Sequence, residues 1–536
     1  MPRLQLLFCA AVWTAVNGAL ASSQATQRLA AWVTGSGGDV SRVAIRDVDG
    51  IRGVAIGAEK ISPLETEFMV VPAALALSDD LDELINRSPL AEKLGRASLN
   101  LLQPDAHLAL RLLHEKSLGQ NSPWADYISL LPDHVHVARH LSDEALLACR
   151  SDFLLKQAML ARNYASGVHS TLLRLVGSED ANEGAVSPVG FSVDELGWAL
   201  DMVHSRSFSV DAGVRGLRRY MVPLIDMLNH SPEAGCAFTY DDTDEPPSFV
   251  VELPEGKGLE PPASGEQLWL DYGAQTSEEL WLMYGFVPSR PSPHDRVSLL
   301  GAYGSADLEG MLGDEAMLEE KRALLASCRY DPPREFELTG RSVDPGVISA
   351  LRLIFLSPGE LENVCSGNWN RPLLHAPVSF ANERGVAQAL KARLLGLLAV
   401  DGTTLAEDRE QLAFLGGAVD AAAAGKDGKD DAEKGEEALE ASTKSSSVFD
   451  LLDTIEAEEE AEEAAAEEAV EEAMRREEMR CAVQLRANRK TLLTECVALL
   501  DGFLRDLERA EAKGDDVKVP NLHDAFDDYM PNIRLT

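Results

Sequence analysis

The chain has 536 residues, of which 45% are hydrophobic, and a formal net charge of −39. That length accommodates more than one domain, and the apolar content is enough to fill a core in each. The acidic balance excludes a general affinity for DNA or RNA and docking on anionic lipid, both of which need clustered Lys and Arg.

In chain order, Arg3 precedes the apolar run LQLLFCAAVWTAV, and the small residues NGALASS follow. This is the layout of a signal peptide, 1–21, cleaved near Ala21, and the run is too short to span a bilayer comfortably. Residues 22–42 carry Ser, Thr and Arg with Asp39 as their one acid, a transit-like linker. Together they predict entry into the secretory pathway and onward passage to a plastid, with the cytoplasm as the alternative. Seven cysteines are scattered with no CxxC pair, which argues against a zinc cluster and against a disulfide framework.

From Val43 to Leu77, alternating apolar residues punctuated by Gly50, Gly53, Gly57 and Pro63 predict short strands, with Arg52 in a turn between Gly50 and Gly53. A plain hairpin and a backbone loop that approaches a ligand closely both fit this stretch. Leu81 to Val176 turns helical in period, with Asp105 after Pro104 as an N-cap and a second helical stretch over Asp143 to Val176. Phe191 to Ser209 reads as one helix opened by a Ser192–Glu195 capping box, with Ser205 and Arg206 at its C-terminal end. There Arg206 either satisfies the last carbonyls or meets a ligand.

The run VPLIDMLNHS, Val222 to Ser231, places Asp226, Asn229 and His230 at the end of an apolar segment. Buried polar groups need partners, so this stretch either caps backbone or binds something. On a helix, Asp226 and His230 would share a face at metal-ligand spacing, but no second His or Cys pair lies nearby in sequence, and no metal is expected. Two strand-like segments follow, CAFTYDD and SFVVELP. GEQLWLDYG then ends a strand at Tyr272, and SEELWLMYGFVP makes a short helix running into the Tyr284-Gly285-Phe286 turn.

Beyond Ser298 the chain is predominantly helical. Asp344 is an N-cap before Pro345, and Thr404–Glu407 forms another capping box. Residues 416–478 are dominated by Ala, Glu, Asp, Lys and Gly, with strong helix propensity and little apolar face. They read as a solvated helix or a disordered insertion that splits a helical domain. Residues 513–536 form an acidic tail.

The order of a Gly-rich hairpin, SRSF, VPLIDMLNHS, GEQLWLDYG and YGFVP resembles the SET-domain methyltransferases. The branch is that of the Rubisco large-subunit lysine methyltransferase, also similar to the actin-histidine methyltransferase. The resemblance covers roughly Val43 to Leu504. It implies an α+β fold: a β-rich SET domain over 43–298, with a pseudoknot and a helical insertion at about 82–200. An all-α substrate-binding domain over 299–512 would follow, interrupted by the acidic insertion. It further implies S-adenosyl-L-methionine as cofactor, contacted by Arg52, Gly53, Ser205, Asp226, Asn229, His230 and Phe286. Asn229 would meet the amino-acid end of the cofactor, the His230 backbone and Phe286 would meet the adenine, and Asp226 would brace the segment. Arg206 and Tyr284 would line the substrate channel, and Tyr272 would be the catalytic tyrosine.

Two departures stand out. Thr276-Ser277-Glu278-Glu279-Leu280 replaces the usual Ser-Asn-x-Glu-Leu, and the cysteine-rich segment of many histone enzymes is absent. The expected activity is therefore protein-lysine N-methylation of a non-histone protein substrate by a monomer, with no nucleic acid and no stable membrane span. A protein-histidine methyltransferase is the alternative within the same chemistry, and a non-catalytic SET-fold scaffold the alternative outside it.

Overall fold

The computed structural model describes residues 24–48, 51–57, 66–177, 188–213, 216–243, 246–254, 262–300, 317–327, 336–340, 342–366, 375–424, 448–514 and 517–529. Gly50, the signal segment 1–21 and residues 515–516 and 530–536 of the acidic tail lie outside them. Two compact units emerge: 1–140 with 156–273 and 281–285, and 141–155 with 274–280 and 286–536. Among the described residues no helix is long and apolar enough to cross a membrane.

The first unit is built on short strands. β1 (Val43–Val48) and β2 (Ile51–Ile56) pair as an antiparallel hairpin. β3 (Glu67–Pro72) and β4 (Leu77–Ser78) follow. β5 (Ser207–Asp211) and β6 (Leu217–Met221) make a three-stranded sheet with β4, in the order β4-β6-β5. β7 (Asn229–His230), β8 (Ala237–Asp241), β9 (Ser248–Glu252) and β10 (Trp269–Leu270) complete the set. β3, β9 and β8 form a second antiparallel sheet, whereas β10 pairs parallel with β7. Parallel pairing cannot be made by a tight turn, so the chain travels from 230 to 269 before returning alongside. An inner core runs through all of this, with Val54, Phe68, Met69, Leu77, Met221, Ile225, Phe249 and Leu270 nearly inaccessible to water.

Helices pack over the strands between β4 and β5. Pro104–Ser117 buries nine of its fourteen residues, so it is a central rather than a surface helix. Its N-cap is Gln103 with Pro104 in the first turn, not Asp105 as expected. Asp105 instead turns to other helices, accepting from Tyr164 Oη at 3.0 Å and bonding His204 Nε2 at 2.8 Å. The helix expected over Phe191 to Ser209 is Val193–Arg206, opened by the Ser192–Glu195 capping box and passing directly into β5. Residues 24–35, read as a transit-like linker, form a helix. Its Ala25, Leu29 and Val33 face fills the core, and Trp32 meets Trp124 edge-on at 6.2 Å.

The second unit has the antiparallel pair of β11 (Arg296–Leu300) and β12 (Phe336–Thr339), with the helix Leu318–Ser327 between them in sequence, and is otherwise mainly helical. The helical stretch expected over Asp143 to Val176 is two helices, because Arg150 adopts φ +52° and ends the first at Cys149. The Asp344 cap donates no surprise: its Oδ1 accepts from Gly346 N at 2.7 Å. Thr404 and Glu407 bond reciprocally as a capping box. Val448–Glu511 is one helix of 64 residues, about 96 Å long at 1.5 Å per residue. It carries the acidic sequence and the apolar one without a break. Its buried part opens at Glu478, 6% exposed, whose carboxylate accepts from Ser142 N at 3.2 Å, so the packed segment already includes the end of the acidic run.

Candidate active site

The run Val222 to Ser231 is not a helix. Leu224 holds φ +70°, a conformation β-carbons disfavour, while only 3% exposed; the surrounding core fixes it there. A single 3₁₀ turn over Ile225–Met227 follows, then β7. Asp226 and His230 therefore do not share a helix face as the spacing suggested. Among the described residues no group of three or more His, Cys, Asp or Glu is arranged to hold a metal ion.

Asp226 points into the core. Its Oδ2 accepts from Tyr127 Oη at 2.5 Å, and its Oδ1 has no hydrogen-bond partner. Burial pushes this carboxyl up to about 6, with Arg206 and the Tyr127 hydrogen bond opposing. Arg206 Nη1 donates to Asp226 O at 3.1 Å, so this arginine reaches the strained turn and not the last carbonyls of its own helix. Ser205 Oγ bonds back to Asp201 O at 2.7 Å, four residues earlier.

A pH test follows from Asp226. Its folded value lies above the unfolded one, so its contribution to stability is complete below about pH 4 and is lost as pH rises through about 6. Asp226→Asn keeps an acceptor for Tyr127 and removes the ionisation. The variant should gain in melting temperature over the native chain as pH rises from 5 to 7, and the gain should level off above that. A difference independent of pH would show that Asp226 titrates normally.

Asn229 and His230 lie in register with Trp269 and Leu270. That pairing carries Tyr272 to His230. The Tyr272 N–H donates to His230 Nδ1 at 3.1 Å, so this nitrogen is unprotonated and the neutral ring carries its proton on Nε2. Burial lowers the His230 value, which agrees with a neutral ring. Tyr272 Oη donates to Leu228 O at 2.7 Å, and its ring lies 5.0 Å from His230 and 4.6 Å from Tyr284. Burial, the largest cause, raises the Tyr272 phenol well above its usual value, and Tyr284 rises for the same reason. Both hydroxyls stay protonated through the physiological range.

Arg52 and Gly53 are inside β2, opposite Asp47 and Arg46, and not in the turn. Asn229 Nδ2 donates to Arg52 O at 3.2 Å, which ties the hairpin to β7. The Arg52 side chain leaves in another direction, donating to Leu130 O at 2.7 Å. A β-carbon at Gly53 would sit 2.8 Å from Asn229 Nδ2 and 2.9 Å from Gln267 Nε2, closer than real contacts allow. Gln267 is 8% exposed and its buried Nε2 has no partner. Sequence reasoning missed it; it precedes LWLDYG by one residue, and only the bridge to Ala55 brings it to Gly53.

The first unit thus gathers Arg52, Gly53, Arg206, Asp226, Asn229, His230, Tyr272 and Tyr284 by contact. Ser205 adjoins Arg206 but spends its hydroxyl on its own helix. Phe286 belongs to the second unit and is half-buried.

Comparison with known proteins adds to this geometry. Residues 313–416 match the family described as Rubisco LSMT substrate-binding. Over 330 residues the chain is 26% identical to [fructose-bisphosphate aldolase]-lysine N-methyltransferase, chloroplastic, of Arabidopsis thaliana, covering 58% of this chain and 62% of that protein. Over 325 residues it is 25% identical to the chloroplastic ribulose-1,5 bisphosphate carboxylase/oxygenase large subunit N-methyltransferase of Nicotiana tabacum, covering 58% and 61%. The chain therefore spans less than two thirds of the length of these curated relatives. Among solved structures, the SET domain of LSMT bound to MeLysine and AdoHcy superposes with a TM-score of 0.52 at 20% identity, covering 90% of this chain and 93% of that one. Rubisco LSMT bound to Sinefungin and Monomethyllysine gives 0.52 at 19%, covering 90% and 93%. These two likenesses are of fold.

Proposed function

We propose, from a chain that is a SET-domain protein of the Rubisco LSMT-like branch, that it is an S-adenosylmethionine-dependent protein-lysine N-methyltransferase acting on a non-histone protein. The observation that carries this reading is the convergence of the Gly53 backbone, Asn229, His230 and the fixed Tyr272 hydroxyl in one half-buried place. The chloroplastic relatives support a plastid as its place of action.

The residues present fit the cofactor. Gly53 has no side chain, which lets the amide ends of Asn229 and Gln267 close against its backbone, and the partnerless Gln267 amide there offers a donor to a polar ligand. Asn229 and the His230 backbone would hold the amino-acid and adenine ends. S-adenosylmethionine supplies a methyl group activated by a positively charged sulfur.

What this chain contributes is alignment and desolvation. A substrate lysine, with a reference pKa of about 10.4, must lose a proton before its nitrogen can attack. Removing it from water lowers that value. Tyr272 is no base, because its phenol is held protonated. With its proton committed to Leu228 O, the oxygen keeps lone pairs that can accept from an amine N–H and fix the nitrogen in line. Tyr284 and Arg206 frame the same place, and Tyr127 and Asp226 hold the turn that presents Leu228 O.

Gly53→Ala tests the pocket. The added carbon first meets the ends of two flexible amides, which can shift, so the fold should survive. Affinity for S-adenosylhomocysteine, measured by calorimetry, should fall by about tenfold, the effect of one lost hydrogen bond. Unchanged affinity would place the cofactor elsewhere.

A further inference from the structure

Across the parallel strands β7 and β10, Asn229 pairs with Trp269 and His230 with Leu270. Side chains of paired residues in parallel strands project to the same side, and successive ones alternate. His230, Leu270 and Tyr272 therefore share one face, which agrees with the 5.0 Å between the His230 and Tyr272 rings. Asn229 and Trp269 share the other face. Gln267, two residues before Trp269, lies on it too. The place a β-carbon on Gly53 would take is 2.8 Å from Asn229 Nδ2 and 2.9 Å from Gln267 Nε2. The register thus sets Trp269 beside Asn229 at the spacing of neighbouring strands, about 4.8 Å.

This face leaves its binding capacity unused. Leu268 and Leu270, on either side of Trp269, are 1% and 2% exposed, whereas Trp269 is 39% exposed. Among the described residues no aromatic ring and no Lys or Arg packs on the indole. An amide nitrogen carries two N–H donors. Asn229 Nδ2 gives one to Arg52 O, and Gln267 Nε2 gives neither. Unfilled donors beside a bare indole suit a ligand that carries an acceptor and a cation close together. The acceptor meets the amides, and the cation meets the electron-rich face of the ring. An α-amino acid group has both, a carboxylate and an ammonium on one carbon.

We propose that Trp269 is a cofactor-contacting residue, an aromatic wall for the amino-acid end of S-adenosylmethionine. The ammonium lies on the indole, and the carboxylate turns toward the Asn229 and Gln267 amides. This rests on the methyltransferase reading, in which Asn229 meets that end of the cofactor. S-adenosylhomocysteine keeps both groups, so it probes the contact without turnover.

The test follows tryptophan emission and calorimetric heat of the full chain as S-adenosylhomocysteine is added. The chain has seven tryptophans, so the signal of Trp269 is the difference between the native chain and Trp269→Phe. Native emission should change and saturate at the calorimetric affinity. Trp269→Phe should lose that change yet bind within about twofold, because a phenyl ring still offers an aromatic face. Trp269→Ala should bind about fivefold more weakly, the loss of one cation over a ring. Methylthioadenosine, which lacks the amino-acid end, should bind the native and Trp269→Ala chains equally. Should Trp269→Ala fail to fold, the emission of Trp269→Phe decides alone. An emission change that persists in Trp269→Phe, or equal losses for both ligands in Trp269→Ala, overturns the contact and leaves the cofactor reading standing. A native chain that binds no S-adenosylhomocysteine overturns the cofactor reading, and the role of Trp269 with it.

Discussion

Tyr272→Phe is expected to lower the methyl-transfer rate by about a hundredfold or more, the usual loss when one preorganised polar group at a reacting centre is removed. The substitution deletes one oxygen and keeps the ring, so the contacts with His230 at 5.0 Å and Tyr284 at 4.6 Å persist. Leu228 O loses its donor, at a cost of about 1–2 kcal/mol, which a chain of this size tolerates. The loss should fall on kcat, with KM and S-adenosylhomocysteine affinity nearly unchanged, because the interaction matters most as the nitrogen attacks. A proportionate rise in KM would instead mark Tyr272 as a substrate-binding residue. Undiminished turnover would remove it from the mechanism.

The second large effect lies far from this chemistry. Asp408→Ala should cost about 3–5 kcal/mol, the range for breaking a buried ion pair from one side. Asp408 is wholly buried; its Oδ1 takes Arg486 Nη2 at 2.7 Å and Thr403 Oγ1 at 3.0 Å, and its Oδ2 takes Lys490 Nζ at 2.6 Å. Without it, Lys490 retains Thr403 and a distant Asp401 at 3.9 Å, and Arg486 retains Gln411 and the Ala148 carbonyl. Two buried cations are then undercompensated where the Leu405–Ala424 helix meets the long Val448–Glu511 helix. Melting temperature should fall by about 10 °C. Burial pushes the Asp408 carboxyl up, but the hydrogen bonds from Arg486 and Lys490 outweigh it and hold the group low. Its stabilisation is therefore present at neutral pH and lost as pH falls below the carboxylate range. A shift of a degree or two at pH 7 would show that water relieves the cations.

Local chemistry was legible in the sequence wherever its partners are three or four residues apart. The capping boxes at Ser192 and Thr404 and the cap at Asp344 form as their spacing requires. Polar residues whose partners lie far away were misread. Asp105 has the look of a cap, but its partners are Tyr164 and His204, 59 and 99 residues on. Asp226 and His230 carry helical spacing, but the positive φ at Leu224 and the return of β10 impose a turn and a strand. Gln267 and the Asp408 cluster escaped notice for the same reason. Of the candidate site residues in the first unit, contacts gather all but Ser205, whose hydroxyl closes on its own helix. Those residues were proposed from the order of several weak motifs, and no single motif would have been enough.

The measurement that bears most directly on the proposed activity is transfer of labelled methyl from S-adenosylmethionine into plastid and whole-cell protein extracts, with Tyr272→Phe as control. The account predicts a labelled protein band that disappears with the control, with the label on a lysine Nε. Label that persists undiminished in Tyr272→Phe, or no label with any extract, would contradict it.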